Sequence, residues 1–433
     1  MAFAYSNSAE YLPRRLGIEE GTSSIFRIAA HSHVKKIVII GAGFAGVWSA
    51  LAARRLSKLT ERETEIDIVV IAPKPFLVIR PRLYEANASG MTHSVEALFK
   101  DSKIEFIPGT VDKINAQDNT VLVRSISGDA STVGYDRLIL AAGSSVVRPK
   151  SISGIQQHAF DIDSFDSAVK LESHLQNLTS LPSSPARNTV VVCGAGFTGI
   201  ELATELPKRL PKDLNARIVM VESADQLGPE LGPGPRPIIT QALNELGIEF
   251  KLGSPVTAID ADGVTLASGE RIETKTAIWT AGQIPAPRDG LSRLHVGQNL
   301  RVSSVGNIFA TGDAAYATAD TNGHFALMSC QHALPMGRVS GHNAAADLLG
   351  ESLMPYEQTS YNCCLDLGAW GTVISEGWIR EVKLTGDLAK RVKCFINQRL
   401  IYPPTDVAEA FTMANPTGPD SDQLFEQILQ AVA

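Results

Sequence analysis

This 433-residue sequence contains no apolar run of about 18 residues, the length that a helix needs to span a bilayer. Its N-terminus lacks the order of charged, apolar and small residues that marks a secretory signal. Cysteine is also scarce: the five cysteines show no CxxC or CxxxxC spacing, so the sequence predicts neither a disulfide framework nor a dithiol redox pair. We therefore expect a cytoplasmic protein whose thiols are structural.

Basic residues are fewer than acidic residues as well. The chain carries 39 Lys and Arg against 46 Asp and Glu, a formal net charge of -7. Such a protein has no positive field for a polyphosphate backbone, so nucleic acid is not expected as a partner. No metal site is predicted either. The apolar fraction of 44% and the charged fraction of 20% are ordinary for a folded enzyme of two or three domains.

What the sequence does contain is an internal duplication. KKIVIIGAGFAGVWSALAARRL begins at Lys35, and NTVVVCGAGFTGIELATELPKRL begins at Asn188. Each copy is a β-branched run, a GxGxxG turn and a helical pattern, the order in which a dinucleotide-binding domain opens. In such a turn the first glycine bends the chain, the second admits a pyrophosphate and the third lets helix and strand approach. The glycines are Gly41, Gly43 and Gly46 in the first copy and Gly194, Gly196 and Gly199 in the second.

In the segments that follow each copy, hairpins return to short buried strands ending at Gly143 and Gly282, and a further buried strand ends at Gly312. We predict an α/β fold with two Rossmann-like, parallel-sheet domains, one inserted in the other, and a small α+β C-terminal domain. The expected boundaries are an N-terminal extension over 1–33, an FAD-binding domain over 34–150 and 283–350, an NAD(H)-binding domain over 151–282, and a C-terminal domain over 351–433 that forms a dimer face or a substrate cover.

Acidic residues at strand ends indicate which dinucleotides bind. Glu222 ends the strand RIVMVE, where a carboxylate accepts hydrogen bonds from both adenosine ribose hydroxyls and repels a 2′-phosphate, so NADH is favoured over NADPH. An exposed strand-end glutamate is the alternative. The matching residue of the first copy is Ala72, where the expected acid is missing. Asp313 follows a buried strand and a glycine, at the edge where open α/β sheets bind ligands, with helix capping as the alternative.

The motifs together resemble those of a known family. The turn from Gly41 to Gly46, YDRLILAAG, the turn from Gly194 to Glu201, AIWTAG and NIFATGD occur in the order seen in flavoproteins of the pyridine nucleotide-disulfide oxidoreductase superfamily, type II NADH dehydrogenase and apoptosis-inducing-factor-like branch. The resemblance covers Lys35 to Gly350. It implies FAD in the first domain, NADH in the second and hydride transfer between them.

The resemblance also implies roles for individual residues. Asp313 would bind the ribityl chain of FAD, and Val111 would meet the adenine through its backbone. Glu201 would lie near the nicotinamide, although the helix macrodipole alone favours an acid there. The other residues that the resemblance places beside the cofactors are Phe44, Ala45, Ala142, Gly143, Gly282 and Gly312.

Two segments depart from the family pattern. Where quinone-reducing relatives read AQxAxQxG, this chain reads CQHALPMG, which keeps Gln331 but replaces the second glutamine with Pro335. A proline removes a side-chain donor and bends the helix, which argues against quinone binding of the family type. FLVIRPRLYE keeps Pro81 of the flavin-side turn, and Arg80 beside it either faces the flavin or solvates a loop. Glu201, Pro81, Arg80 and Gln331 are the candidate catalytic residues.

The charge and apolar pattern of the C-terminal tail indicate which partners the protein binds. After Arg399 it contains acids but no Lys or Arg, so anionic lipid would repel it and membrane association is not expected. The stretch 390–396 is the only basic amphipathic candidate. An apolar stripe near the end is expected to be a core face or the contact of a homodimer, and it consists of Leu424, Phe425, Ile428, Leu429 and Val432.

We expect an FAD-dependent oxidoreductase that takes hydride from NADH and passes the electrons to a small soluble acceptor, quinone-like or another electrophile. Two alternatives remain. One is an FAD enzyme that acts on a specialised metabolite, and the other is a redox-responsive interaction module with incidental turnover.

Overall fold

The strand that opens the first glycine-rich unit lies at the centre of a parallel five-stranded sheet. The computed structural model describes residues 34–285, 293–419 and 421–432, so the predicted extension over 1–33 lies outside the described residues. Both faces of the central strand are covered, as in other parallel sheets, and Ile37, Val38 and Ile39 are fully buried. The order of the strands is Ile308–Ala310, Arg137–Leu140, Lys35–Ile40, Ile66–Ala72 and Glu105–Pro108.

A second parallel sheet repeats this arrangement around the second copy. All five residues of its central strand, Thr189–Cys193, are buried. The helix after each glycine-rich turn packs beside its own strand, Phe44–Leu59 in the first unit and Phe197–Arg209 in the second. The order of the strands is Ala159–Phe160, Thr276–Trp279, Thr189–Cys193, Arg217–Val221 and Glu249–Lys251.

The segment that forms the second sheet is inserted in the chain between two strands of the first sheet. Ile308–Ala310 follows the second sheet in the chain but pairs with Arg137–Leu140 of the first. An antiparallel pair, Ser144–Val146 with Gln283–Pro285, carries the chain out and back. The predicted fold class is therefore confirmed, while the residue boundaries of the domains stay a prediction.

Shorter elements complete the two units. Among the helices of the described ranges, none is both long and apolar enough to cross a membrane. The antiparallel strands are Phe76–Val78 with Thr92–Ser94, then Thr110–Asn115, Thr120–Arg124 and Ala130–Gly134, then Val256–Asp260, Gly263–Leu266 and Arg271–Glu273, and Leu294–His295 pairs in parallel with Ala315–Tyr316. The remaining helices of this part are Glu96–Asp101, Ile155–His158, Phe165–Asn177, Arg236–Glu245 and Cys330–Leu349.

The C-terminal part is a small antiparallel sheet covered by helices. Phe425 and Ile428 are buried in one cluster with Ile374 and Val392, so the apolar stripe of the tail is a core face of this chain. The sheet has three strands, and the helix that follows it continues into a π turn. The strands are Asn362–Asp366, Thr372–Glu376 and Glu381–Thr385, and the helices are Gly386–Phe395, the π turn Ile396–Leu400, Val407–Met413 and Ser421–Val432.

Two helices of the first unit pack backbone to backbone. A Cβ on Gly341 would overlap the carbonyl oxygen of Ser49. The Ser49 hydroxyl lies 3.0 Å from that of Ser340 and donates to the Ala45 carbonyl at 2.8 Å. Small residues at these positions therefore fix how closely helix Cys330–Leu349 approaches helix Phe44–Leu59.

We expect Gly341→Ala to destabilise the protein by about 3 kcal/mol, because a methyl group there collides with backbone that cannot rotate away. Urea unfolding measures the loss. Gly306→Ala is the matched control, since no described atom lies within 4 Å of a Cβ at that position. Equal unfolding midpoints for the two variants would contradict the close packing.

Candidate functional site

A cavity of about 1620 Å³ runs from the two glycine-rich turns to the C-terminal helices. A drug-sized ligand occupies only about 300–1,000 Å³, so this cavity has room for more than one ligand. Gly46, Gly199 and Val111 are not among the residues that line it. The predicted residues that do line it are Gly41, Gly43, Phe44, Ala45, Arg80, Pro81, Ala142, Gly143, Gly194, Gly196, Glu201, Glu222, Gly282, Gly312, Asp313 and Gln331.

The first glycine-rich turn has the geometry that a pyrophosphate requires. Gly41 has a φ of +107°, and a Cβ on Gly46 would overlap the Gly41 carbonyl oxygen. Gly43 precedes helix Phe44–Leu59, and no side chain of the described residues caps this helix. A Cβ on Gly43 would have no described atom within 4 Å. The backbone N–H groups at this helix start therefore suit an anionic ligand.

The second turn repeats this geometry with one addition. Gly194 has a φ of +116°, and a Cβ on Gly199 would overlap the Gly194 carbonyl oxygen. Here, however, the backbone N–H of Phe197 donates to Oε1 of Glu230 at 2.7 Å. A carboxylate therefore lies against the start of helix Phe197–Arg209, where a pyrophosphate would bind. Sequence reasoning missed Glu230 because it lies more than thirty residues beyond the turn.

Glu222 is fixed beside this second turn. Its Oε2 accepts from the backbone N–H of Ala195 at 2.7 Å, and its Oε1 accepts from the N–H of Ala224 at 2.9 Å. The Ser223 hydroxyl also donates to Oε1, at 3.0 Å. The carboxylate is thus oriented before any ligand binds. At the matching strand end of the first unit, Ala72 lines the cavity and offers no side-chain acceptor.

Asp313 belongs to a polar group in the cavity wall. Its Oδ2 accepts from the Ser144 hydroxyl at 2.6 Å and lies 3.7 Å from Nη1 of Arg80. Arg80 also pairs with Asp163 and donates to the Ser144 carbonyl at 3.2 Å. Arg80 therefore faces the cavity, which disfavours the interpretation that it solvates a loop. No motif in the sequence marks Asp163 as a residue of this site.

Glu201 forms an ion pair inside the protein. Glu201 is 3% exposed and Lys393 6%. Lys393 Nζ donates to Glu201 Oε1 at 2.8 Å, and the backbone N–H of Asp366 donates to the same oxygen at 3.0 Å. Burial raises the pKa of Glu201 to about 7, although the Lys393 charge opposes this. Burial alone would lower the pKa of Lys393, but the Glu201 carboxylate raises it.

This ion pair corrects one interpretation of the sequence. Lys393 belongs to the stretch 390–396, the only basic amphipathic candidate for a membrane surface in the sequence. It points instead into the protein, where it also donates to the Cys364 carbonyl at 2.9 Å. The helix therefore uses this lysine to bind Glu201 and not to contact solvent or lipid.

Further polar contacts join the ion pair to the turn that contains Pro81. The Tyr84 hydroxyl donates to Asp366 Oδ2 at 2.8 Å, and Lys390 pairs with the same carboxylate. Asn397 donates to Glu85 Oε1 at 3.0 Å. Residues from the first unit, the second unit and the C-terminal part thus meet at one buried, hydrogen-bonded network.

Gln331 lines the cavity, but its amide is engaged by the C-terminal part. Its nitrogen donates to the Asn362 carbonyl at 2.7 Å, and its oxygen accepts from the Asn362 N–H at 3.2 Å and from the Ser421 hydroxyl at 2.7 Å. Pro335 also lines the cavity, and helix Cys330–Leu349 continues through it. Gln331 therefore links helix Cys330–Leu349 to the C-terminal part.

All five cysteines are free thiols in this structure. Cys330 and Cys364 line the cavity, but burial raises the pKa of Cys330 to about 11 and that of Cys364 to about 12. Thiols with such pKa values carry little thiolate at neutral pH. The geometry therefore gives no support to thiol redox chemistry beside the cavity.

Residues 35–337 match the sequence profile of the pyridine nucleotide-disulphide oxidoreductases. The chain belongs to this family. It is 41% identical over 394 residues to an NADH dehydrogenase-like protein of Mycobacterium tuberculosis, across 88% of this chain and 97% of that protein. The family resemblance inferred from the motifs is confirmed, and the chain is an oxidoreductase enzyme.

More distant similarities also extend over most of the chain. A type II NADH:quinone oxidoreductase of Staphylococcus haemolyticus is 25% identical over 405 residues, across 87% of this chain and 98% of that protein. NDH2 from Plasmodium falciparum in complex with NADH superposes with a TM-score of 0.69 at 15% identity, covering 88% of this chain and 98% of that one. At that identity the structural likeness establishes the fold alone.

We expect Lys393→Met to destabilise the protein by about 3–5 kcal/mol near pH 8, because Glu201 is left as a buried charge without a partner. The folded pKa of Glu201, about 7, lies above the value of about 4.3 for an unfolded glutamate. The contribution of Glu201 to stability is therefore complete at low pH and is lost as the pH rises through about 7. The loss caused by Lys393→Met should thus be smaller near pH 5.5.

Urea unfolding at the two pH values tests this expectation. The double variant Glu201→Gln with Lys393→Met serves as the control, since it removes the charge as well as its partner and should recover most of the lost stability. A pH-independent loss that the double variant does not relieve would contradict the ion pair.

Proposed function

We propose that this chain is an FAD-dependent NADH oxidoreductase that reduces a small quinone-like acceptor. In balanced form, NADH and one proton convert the quinone to its hydroquinone and leave NAD⁺. One observation carries the proposal: two glycine-rich helix starts, with Glu222 beside the second, line the same cavity. The names of the relatives, an NADH dehydrogenase-like protein and a type II NADH:quinone oxidoreductase, support the choice of donor and acceptor class.

The first unit fits FAD. The start of helix Phe44–Leu59, beside Gly43, would hold the pyrophosphate, and Asp313 with Arg80 would bind the ribityl side. Bound FAD would supply a two-electron carrier between donor and acceptor. Because Ala72 brings no carboxylate, the adenosine ribose must be bound by other groups, and Val111 remains the predicted contact for the adenine.

The second unit fits NADH better than NADPH. Glu222 is held by backbone N–H groups with its carboxylate at the strand end, so it can accept hydrogen bonds from the ribose hydroxyls. A 2′-phosphate at the same place would meet a negative charge. The nicotinamide end of NADH would then lie toward Glu201, which is one turn into helix Phe197–Arg209.

Glu201, in its protonated form, would provide the remaining proton. Hydride transfer delivers two electrons and one proton, so reduction of a quinone needs a second proton. Burial raises the pKa of Glu201 to about 7, so this carboxyl can release a proton at neutral pH. Lys393 orients it.

The proposal predicts a yellow protein that releases FAD on denaturation and is bleached by NADH faster than by NADPH under anaerobic rapid mixing. Glu222→Ala should reduce the NADH to NADPH preference at least about tenfold, because a charged hydrogen bond contributes about 1.5–3 kcal/mol. Glu273→Ala, which removes an exposed glutamate on strand Arg271–Glu273, is the matched control and should keep the preference. An unbleached flavin, or the absence of flavin, would overturn the proposal.

Glu230 yields a further expectation. Its carboxylate lies against the helix start that the NADH pyrophosphate would use, so Glu230→Gln should lower the KM for NADH by about two- to fivefold, the size of one charge effect at a helix terminus. The amide retains the hydrogen bond to Phe197 but not the charge. Steady-state kinetics measure the change, and an increased KM would indicate that the carboxylate supports the bound form.

A further inference from the structure

One wall of the cavity contains an arginine placed between two acids. Arg80 pairs with Asp163 through Nη2, and its Nη1 lies 3.7 Å from Oδ2 of Asp313. The same Nη1 donates to the Ser144 hydroxyl at 3.0 Å, and this hydroxyl donates in turn to Asp313 Oδ2 at 2.6 Å. All four residues line the cavity. The guanidinium group is therefore held from two sides at one place in the wall.

The carboxylate of Asp163 is itself oriented by the backbone. Its Oδ2 accepts from the N–H of Val146 at 3.0 Å, while its Oδ1 accepts from Arg80. The backbone N–H of Asp163 donates to Oδ1 of Asp161 at 3.0 Å. Only 14% of the Asp163 side chain is exposed. Because backbone groups fix this carboxylate, it determines where the guanidinium of Arg80 points.

The pair joins two units of the protein. Arg80 lies in the flavin-side turn of the first unit, beside strand Ser144–Val146. Asp163 lies in the loop between strand Ala159–Phe160 and helix Phe165–Asn177. That strand belongs to the second sheet. A residue of the second unit thus sets the position of a charged side chain in the wall of the first.

The charges of this group would act on a cofactor bound beside them. Asp313 and Gly143 are predicted to contact FAD, and Ser144 follows Gly143 directly, so Arg80 would lie close to the flavin. Reduction adds negative charge to a bound flavin. A nearby cation therefore favours reduction, and a nearby anion disfavours it. Asp163 opposes the effect of Arg80 because it places a negative charge against the guanidinium.

We propose that Asp163 is a positioning residue for Arg80, and that this pair sets the two-electron reduction potential of the bound flavin. The inference rests on the proposed function, since it takes FAD to be bound in the first unit. Asp163 holds the guanidinium at the cavity wall and offsets its charge, which keeps the potential low. A lower potential favours delivery of the electrons to the acceptor. Neither residue exchanges a proton or an electron in this role.

Midpoint potentials of the holoenzyme, reduced by dithionite in equilibrium with a reference dye, test the inference. We expect Asp163→Asn to raise the potential by about 30 mV or more, which is a tenfold change in a two-electron equilibrium. The amide keeps an acceptor for the Val146 N–H but leaves the Arg80 charge without a counter-charge at this position. Arg80→Met should lower the potential, and the double variant should return toward the wild type. Asp163→Glu should retain the wild-type value.

Asp161→Asn is the matched control, because Asp161 is buried and paired with Arg148 in the same loop but is not among the residues that line the cavity. It should destabilise the protein in urea and change the potential much less than Asp163→Asn does. An unchanged or lowered potential in Asp163→Asn, or equal shifts in the two variants, would overturn the inference.

The same measurements separate this inference from the proposed function. Dithionite reduces the flavin without any contribution from the NADH site. A flavin that dithionite bleaches and NADH does not would overturn the proposed function, while the potentials of the variants would still decide the inference. A purified protein without flavin would overturn both.

Discussion

The buried ion pair between Glu201 and Lys393 is the contact on which the arrangement around the cavity depends. Each partner comes from a different part of the chain, and neither can be buried as a charge alone. Asp366 and Tyr84 extend the same network to the flavin-side turn. The C-terminal part is therefore held over the cavity by polar contacts that are strong only in this one geometry. A set of apolar contacts would tolerate sliding, whereas a charge pair with fixed hydrogen bonds does not.

The two glycine-rich turns share one backbone geometry but differ in the residues around them. In both, the third glycine lets helix and strand approach because a Cβ would overlap the first glycine's carbonyl oxygen. Their surroundings differ in charge. The second turn has Glu222 and Glu230 within hydrogen-bond distance of its backbone, whereas the first has Ala72 at the strand end and no capping side chain among the described residues. If the duplicated units bind different dinucleotides, as proposed, the residues that follow the turn, and not the turn itself, would set the specificity.

Local patterns revealed the fold because they are carried by neighbours in the chain. The β-branched runs, the glycine spacing and the repeated strand endings predicted both parallel sheets and the insertion. The tail stripe at Phe425 and Ile428 was assigned to a core or a dimer face, and packing against Ile374 made it a core face. The burial of Lys393 was not predicted, because helical periodicity gives the angle of a side chain around the axis but not which element covers that side.

The sequence by itself determined the α/β class, the duplication, the family and the strand-end position of Glu222, since each depends on residues close together along the chain. Only the tertiary structure decided that Glu230 meets the second helix start, that Arg80 joins Asp313 and that Lys393 binds Glu201. These contacts join residues that are tens to hundreds of positions apart, and burial alone decides whether a charge there is solvated, paired or left for a ligand.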